Sequence, residues 1–136
     1  DKVFTTFSDL DVSILVNNVG WGCTVQFEKL SREDMEAYVT VNILPQLFFS
    51  QHLVTKMLER PQRSGIINLS SFVALSGGAR YFTAYSASKA FNHLLSLSIS
   101  REMKHKVDCL AVHPGAVATN FMDQFKRVNL MGLSPN

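Results

Sequence analysis

The chain predicts an α/β fold built on a parallel sheet. Short apolar runs at residues 12–16, 66–69 and 107–112 have the length and β-branched content of buried strands. They alternate with two long stretches of helical period, the pattern of strand–helix–strand crossovers. At 136 residues the chain is one small domain or part of a larger one.

Each element follows in order. The run ILVNNVG (14–20) reads as a buried strand that breaks into a loop at Asn17-Asn18. Gly20-Trp21-Gly22 then opens a loop able to pass close to a ligand, since glycine lets backbone approach. Ser31, three residues before Asp34, forms a helix N-cap box. The helix should run over about residues 32–60, with Met35, Tyr38, Val39, Ile43, Leu47, Leu53, Val54, Met57 and Leu58 at its apolar positions. Pro45 cannot donate to the carbonyl four residues back and should kink it beside Asn42. Gly65 ends the connection before the second strand. Ser76-Gly77-Gly78 is a loop leading to a second long helix, ending near Lys104, and Pro114-Gly115 turns the chain away from the third strand. The segment 120–136 is amphipathic, with late Gly and Pro.

Composition excludes several function classes. The net charge is +2 with both signs interspersed, so nothing electrostatic suggests nucleic acid. Cys23 and Cys109 are far apart without metal-ligand spacing, which suggests two reduced thiols in a reducing compartment and no metal site. No signal peptide or membrane span is visible; the longest apolar stretch, 43–49, is too short and holds Pro45 and Gln46.

The chemistry concentrates in YSASK (85–89). A helix places Tyr85 and Lys89 on one face. An ammonium beside a phenol favours the phenolate and should lower the Tyr85 pKa from its usual value of about 10. Such a tyrosine can give or take a proton, and a hydroxyl from the upstream pair Ser70-Ser71 can hold a reacting carbonyl. Alone, a Tyr and Lys at this spacing is equally the mark of a solvated helix face. Tyr81 is a rival without a lysine at the same offset.

NNVG (17–20), Asn42 inside a long helix, IINLSS (66–71), YSASK (85–89) and HPGAVAT (113–119) occur together over nearly the whole chain. In this combination the chain resembles the short-chain dehydrogenase/reductase family, and most closely its hydroxysteroid dehydrogenases and long-chain ketoacyl-CoA reductases. The resemblance implies a Rossmann-type three-layer parallel sheet, of which residues 1–136 supply the C-terminal portion. The family's preceding strands and TGxxxGxG turn are not in this sequence, and it begins without methionine. We therefore expect part of a domain, with an exposed apolar edge on its first strand and little stability as an isolated monomer.

The resemblance also implies residue roles. Tyr85 is the acid/base, and Lys89 tunes it and bonds the nicotinamide ribose. Ser71 orients the carbonyl, although relatives usually place that serine thirteen residues before the tyrosine, where this chain has Phe72; Ser70 is the alternative. Asn42 holds a water that relays protons from Lys89. Backbone near Asn17, Val19 and Gly20 lies beside the adenosine half of the cofactor, while Asn18 ties strands together. Pro114, Gly115, Val117 and Thr119 line the nicotinamide. His93 and His113 read as structural.

The function so implied is hydride transfer between NAD(P)(H) and a ketone or secondary alcohol, steroid or fatty-acyl in kind, with NADP(H) favoured over NAD(H). Phe72, Leu75, Phe121, Met122 and Phe125 could line a lipid-sized pocket, or equally a core or dimer contact. The expected partner is a second copy, giving a homodimer or homotetramer through the two long helices. The expected location is the cytoplasm, or the endoplasmic reticulum membrane by way of an N-terminal segment outside this sequence. Two other readings stay open: a sugar-nucleotide epimerase or dehydratase of the extended branch, and a non-catalytic cofactor-binding scaffold.

Overall fold

The structure, a computed structural model, describes residues 9–117. Thr119, Phe121, Met122, Phe125 and the segment 120–136 lie outside the described residues. Three strands, β1 (Ile14–Asn17), β2 (Ser64–Leu69) and β3 (Val107–Val112), form one parallel sheet in the order β1-β2-β3. The expected α/β architecture is present. β1 starts two residues later than the apolar pattern suggested, and β2 begins at Ser64 because Ser64 N–H donates to Lys106 O at 3.2 Å.

The first crossover begins at α1 (Arg32–Ala37), where the Ser31 hydroxyl accepts the Asp34 N–H at 3.0 Å as the capping pattern required. The helix does not simply kink at Pro45. It widens into a π-helical segment over Tyr38–Ile43 and resumes as α2 (Leu44–Glu59). Pro45 has no N–H, and its ring crowds the carbonyl one turn back. Lengthening the ladder just upstream relieves that conflict, and Leu44 N–H accordingly donates to Val39 O, five residues back. The widened turn places Asn42 in the interior, with 0% of its surface exposed.

The second crossover contains a single helical turn that the sequence did not suggest, α3 (Phe72–Leu75), stopped by Gly77 and Gly78 at φ +79° and +103°. The long helix α4 (Thr83–Met103) follows.

Both long helices cover one face of the sheet. The core there joins Leu53 and Met57 of α2 to Ile66 of β2 and Val107 of β3, flanked by Leu15, Ile99, Met103 and Cys109. On the opposite face Ile14, Val16 and Leu110 are open to solvent. The expected exposed apolar edge extends over a face: strand alternation sends every second side chain to a side on which no helix packs among the described residues. Among the described residues no helix is long and apolar enough to cross a membrane.

Met57 is fully buried at the centre of this core. Met57→Ala should cost about 3 kcal/mol, through lost transfer energy and the cavity left behind. Urea unfolding of full-length protein checks this through a lower midpoint at unchanged slope.

Candidate active site

The carboxyl ends of the three strands converge with the start of α4, where open parallel sheets hold their ligands. The loop after β2 is stitched to the end of β3: Ser70 N–H donates to Val112 O at 2.8 Å, and Phe72 N–H to Pro114 O at 2.9 Å. Tyr85 and Lys89 share the inward face of α4, 7% and 3% exposed.

The Lys89 ammonium donates to Leu69 O at 2.9 Å and lies 5.8 Å from the Tyr85 ring centroid. A Cβ at position 20 would meet Lys89 Nζ at 3.3 Å and Asn42 Oδ1 at 3.8 Å, so Gly20 leaves room for the ammonium. Ser71 hydrogen-bonds the Tyr85 side chain. Burial nevertheless raises the Tyr85 phenol above its ordinary value, with the Ser71 bond opposing it. Burial also brings Lys89 down to about 8. The expected lowering of Tyr85 by Lys89 is therefore not what this arrangement produces. The ammonium is directed at a backbone carbonyl and lies over the ring, and desolvation is the leading cause of the Tyr85 shift.

The two serines part company. Ser71 sits in extended backbone (φ −162°, ψ 155°) and faces Tyr85. The Ser70 hydroxyl donates to Lys89 O at 2.7 Å, satisfying a helix carbonyl. The extra residue between Ser71 and Tyr85 is taken up by α3 and the two-glycine turn. Phe72, at the usual offset, is 59% exposed.

Asn42 knits the site. Its Oδ1 accepts the Trp21 N–H at 2.7 Å, and its Nδ2 donates to Trp21 O at 2.9 Å and Ser88 Oγ at 3.0 Å. Ser88 Oγ in turn donates to Tyr85 O at 2.8 Å. Both amide hydrogens are engaged, so a water relayed by the side chain has only Oδ1 to meet.

The strand tie expected of Asn18 is made by its neighbour. Asn17, not Asn18, ties the strands: its Nδ2 donates to Asn68 Oδ1 at 2.7 Å and Ser50 Oγ at 3.1 Å. Asn18 is exposed, as is Val19. The reason is strand alternation, which turns residue 17 toward the helices in register with Asn68. Pro114 is half-buried at the site, and Gly115 and Val117 are exposed beside it. His93 and His113 contact each other through Nδ1 and Nε2 at 3.0 Å, tying α4 to the end of β3.

Sequence reasoning missed two features. One is the aromatic wall about Tyr85: the Tyr38 and Phe82 rings lie 6.5 and 6.2 Å from it, with Trp21 4.9 Å from Tyr38. The other is the set of polar residues Ser50, Asn68, Ser88, Asn92 and Ser96, all buried. The spacing of 88, 92 and 96 on the face that carries Lys89 was its available signal. Among the described residues no group of three His, Cys, Asp or Glu could hold a metal.

The depressed Lys89 value has a consequence for stability. Between about pH 8 and 10 the unfolded chain keeps this lysine protonated while the folded chain releases the proton, so stability rises with pH. Comparing wild type with Lys89→Met by urea unfolding across that window isolates the contribution. The difference should narrow in favour of wild type as pH increases; a flat difference contradicts it.

The family model described as short chain dehydrogenase matches residues 1–129. A very-long-chain 3-oxoacyl-CoA reductase of Aspergillus terreus is 32% identical over 99% of this chain and 38% of its own length. A 2-dehydro-3-deoxy-D-gluconate 5-dehydrogenase of Dickeya dadantii is 29% identical over 93% of the chain and 49% of its own. Serine dehydrogenase of Escherichia coli superposes with a TM-score of 0.79 at 26% identity, over 85% of this chain and 56% of that one. A closed form of serine dehydrogenase complexed with NADP+ gives 0.82 at 25%, over 90% and 52%. The chain thus spans half or less of the length of these curated relatives. A match over nearly all of its residues, together with the Ser71, Tyr85 and Lys89 cluster at the strand ends, places this chain in the short-chain dehydrogenase family.

Proposed function

We propose that this chain carries the proton-transfer half of an NADP(H)-dependent oxidoreductase that reduces a ketone, with a long-chain 3-oxoacyl thioester as substrate. The observation that carries this is the buried Ser71–Tyr85 hydrogen bond one helical turn from the buried Lys89. A phenol raised by burial is protonated at neutral pH, which suits the reductive direction. Tyr85 gives its proton to the alkoxide developing on the carbonyl oxygen, and Ser71 donates a hydrogen bond to that oxygen. Lys89, near 8, can return the proton to Tyr85. The nicotinamide cofactor, when bound, supplies the hydride.

The residues present fit the nicotinamide end of that cofactor. Gly20 leaves open backbone under the Lys89 ammonium, which has N–H donors for ribose hydroxyls. Gly115 has nothing within 4 Å of where a Cβ would stand. Asn17, Val19, Pro114, Val117 and Thr119 are assigned to the cofactor by the family motif. Asn42 acts by fixing the Trp21 backbone and the Ser88 turn. The complex of serine dehydrogenase with NADP+ supports NADP(H).

For the acyl substrate, the support is the apolar surface beside Ser71, where Phe72, Leu75 and Val117 are 59%, 54% and 53% exposed, and the 3-oxoacyl-CoA reductases among the relatives. A sugar-acid substrate is the second reading. It is favoured by exposed Arg80, stacked 4.7 Å over the Tyr81 ring, and by the gluconate-type relative. Exposed Phe48, Leu94 and Leu97 on the long helices support pairing with a second copy. Free Cys23 and Cys109 support a reducing compartment, cytoplasmic or at the endoplasmic reticulum.

The test is NADPH oxidation by full-length protein against 3-oxoacyl-CoAs of increasing length, steroid ketones and keto sugar acids. We expect kcat/KM to rise with acyl length. Tyr85→Phe and Lys89→Met should each lose roughly 10²–10⁴-fold in kcat, and Ser71→Ala on the order of 10²-fold. Intact NADPH binding with no turnover of any ketone would sink the proposal and favour the scaffold reading. Turnover confined to keto sugar acids would favour the second.

A further inference from the structure

Two hydrogen-bonded polar rungs join the first crossover, from the π-helical segment into α2, to α4, and a polar pair lies between them in sequence. The top rung is a direct bond from Asn42 Nδ2 to Ser88 Oγ at 3.0 Å. The bottom rung runs from Ser50 through Asn17 and Asn68 to Ser96, with bonds of 3.1, 2.7 and 2.9 Å. Gln46 lies four residues after Asn42 and four before Ser50. Asn92 lies four residues after Ser88 and four before Ser96. Gln46 and Asn92 thus fall between the two closed rungs in sequence, one on each helix, which makes them the pair for a middle rung.

That rung is the one not closed among the described residues. Gln46 and Asn92 are 1% and 0% exposed, and Gln46 Oε1 and both Asn92 amide atoms have no hydrogen-bond partner. Buried amides in folded proteins are almost always paired. The three atoms match the two to four hydrogen bonds that a buried water makes. The rung also reaches the candidate site: Gln46 Nε2 donates at 3.3 Å to Leu69 O, the carbonyl that accepts from Lys89 Nζ at 2.9 Å. Asn92 stands one turn from Lys89 on the same buried face.

We propose that Gln46 and Asn92 hold a fixed water between α2 and α4 and through it position Lys89, Gln46 sharing the Leu69 carbonyl with the ammonium. This rests on the reading of Lys89 as the lysine of a reductase. The water gives the interior behind Lys89 a polar wall that keeps the charged form accessible. The titratable groups near Lys89 are Tyr85 and His93 on its own helix, Tyr38 of the π-helical segment beyond Tyr85, Cys23 bonded to Tyr38, and His113 of the segment after β3 against His93. β2 and α3 present none. Burial is the cause that displaces the Lys89 titration.

The test uses full-length protein. Asn92→Leu keeps the size and removes both polar atoms. With lysine carbon-13 labelled, the Lys89 resonance should titrate about one pH unit lower than in wild type. In turnover, kcat should fall about tenfold with its alkaline limb moved acidward and the KM for NADPH unchanged. Asn92→Ser, which leaves room for water and a hydroxyl to hold it, should restore the titration. An unchanged Lys89 titration with a raised thermal midpoint overturns the proposal, marking Asn92 as a buried misfit. If Asn92→Leu does not fold, Gln46→Met reads the same resonance with the same two outcomes. A high-resolution crystal structure gives an independent answer: water bonded to Gln46 and Asn92 supports the proposal, and a dry gap or direct amide pairing overturns it. Wild type without turnover on any ketone would remove the reductase reading, while the Lys89 titration and the water would still decide this one.

Discussion

A lysine ammonium held in the interior with no carboxylate partner among the described residues is costly, and the surrounding structure is arranged to tolerate it. Taking a charge out of water is unfavourable unless hydrogen bonds replace those lost. Here the Leu69 carbonyl at the end of β2 does so, Gln46 of α2 donates to the same carbonyl, and the Ser70 hydroxyl, just after β2, donates to the Lys89 backbone carbonyl. Glycine at position 20 keeps the space above Nζ open. The cost appears as a Lys89 value lowered to about 8, within reach of the proton return proposed for it.

The same constraint explains the unusual polarity of the layer between helices and sheet. One apolar cluster fills the far end of the sheet, around Met57 and Val107, and a second, aromatic one surrounds Tyr38 and Tyr85. Nearer the site than the first, Asn17, Asn42, Asn68, Ser88 and Ser96 supply paired amides and hydroxyls. Directional bonds fix the angle between α4 and the strands more tightly than hydrophobic contact, which tolerates sliding. Tyr85 and Ser71 then meet although the serine is one residue out of its usual offset.

Much of this was legible in the chain. Apolar runs separated by helical period gave the parallel sheet, and Ser31 with Asp34 gave the helix start. Pro45 announced a distortion beside Asn42, because a missing N–H is a property of the residue and not of its surroundings. What kind of distortion was not legible: a kink and a π segment both satisfy proline, and packing against the Trp21 loop selects the one that buries Asn42. Ser70 and Ser71 could not be told apart for a similar reason. Adjacent strand residues point to opposite sides, and the side that meets Tyr85 depends on how α4 docks.

The sequence by itself determined the family, the three strands and the four residue types of the site, since motif order and periodicity are local properties. Only the tertiary structure decided what those residues do to one another. Tyr85 is raised and not lowered, because burial is a property of the whole packing and here outweighs the Ser71 hydrogen bond that opposes it. Asn17 took the tie expected of Asn18 because register with Asn68 turned it inward. Asn42 and Ser88, 46 residues apart in sequence, became partners because the π-helical segment and α4 meet above the sheet.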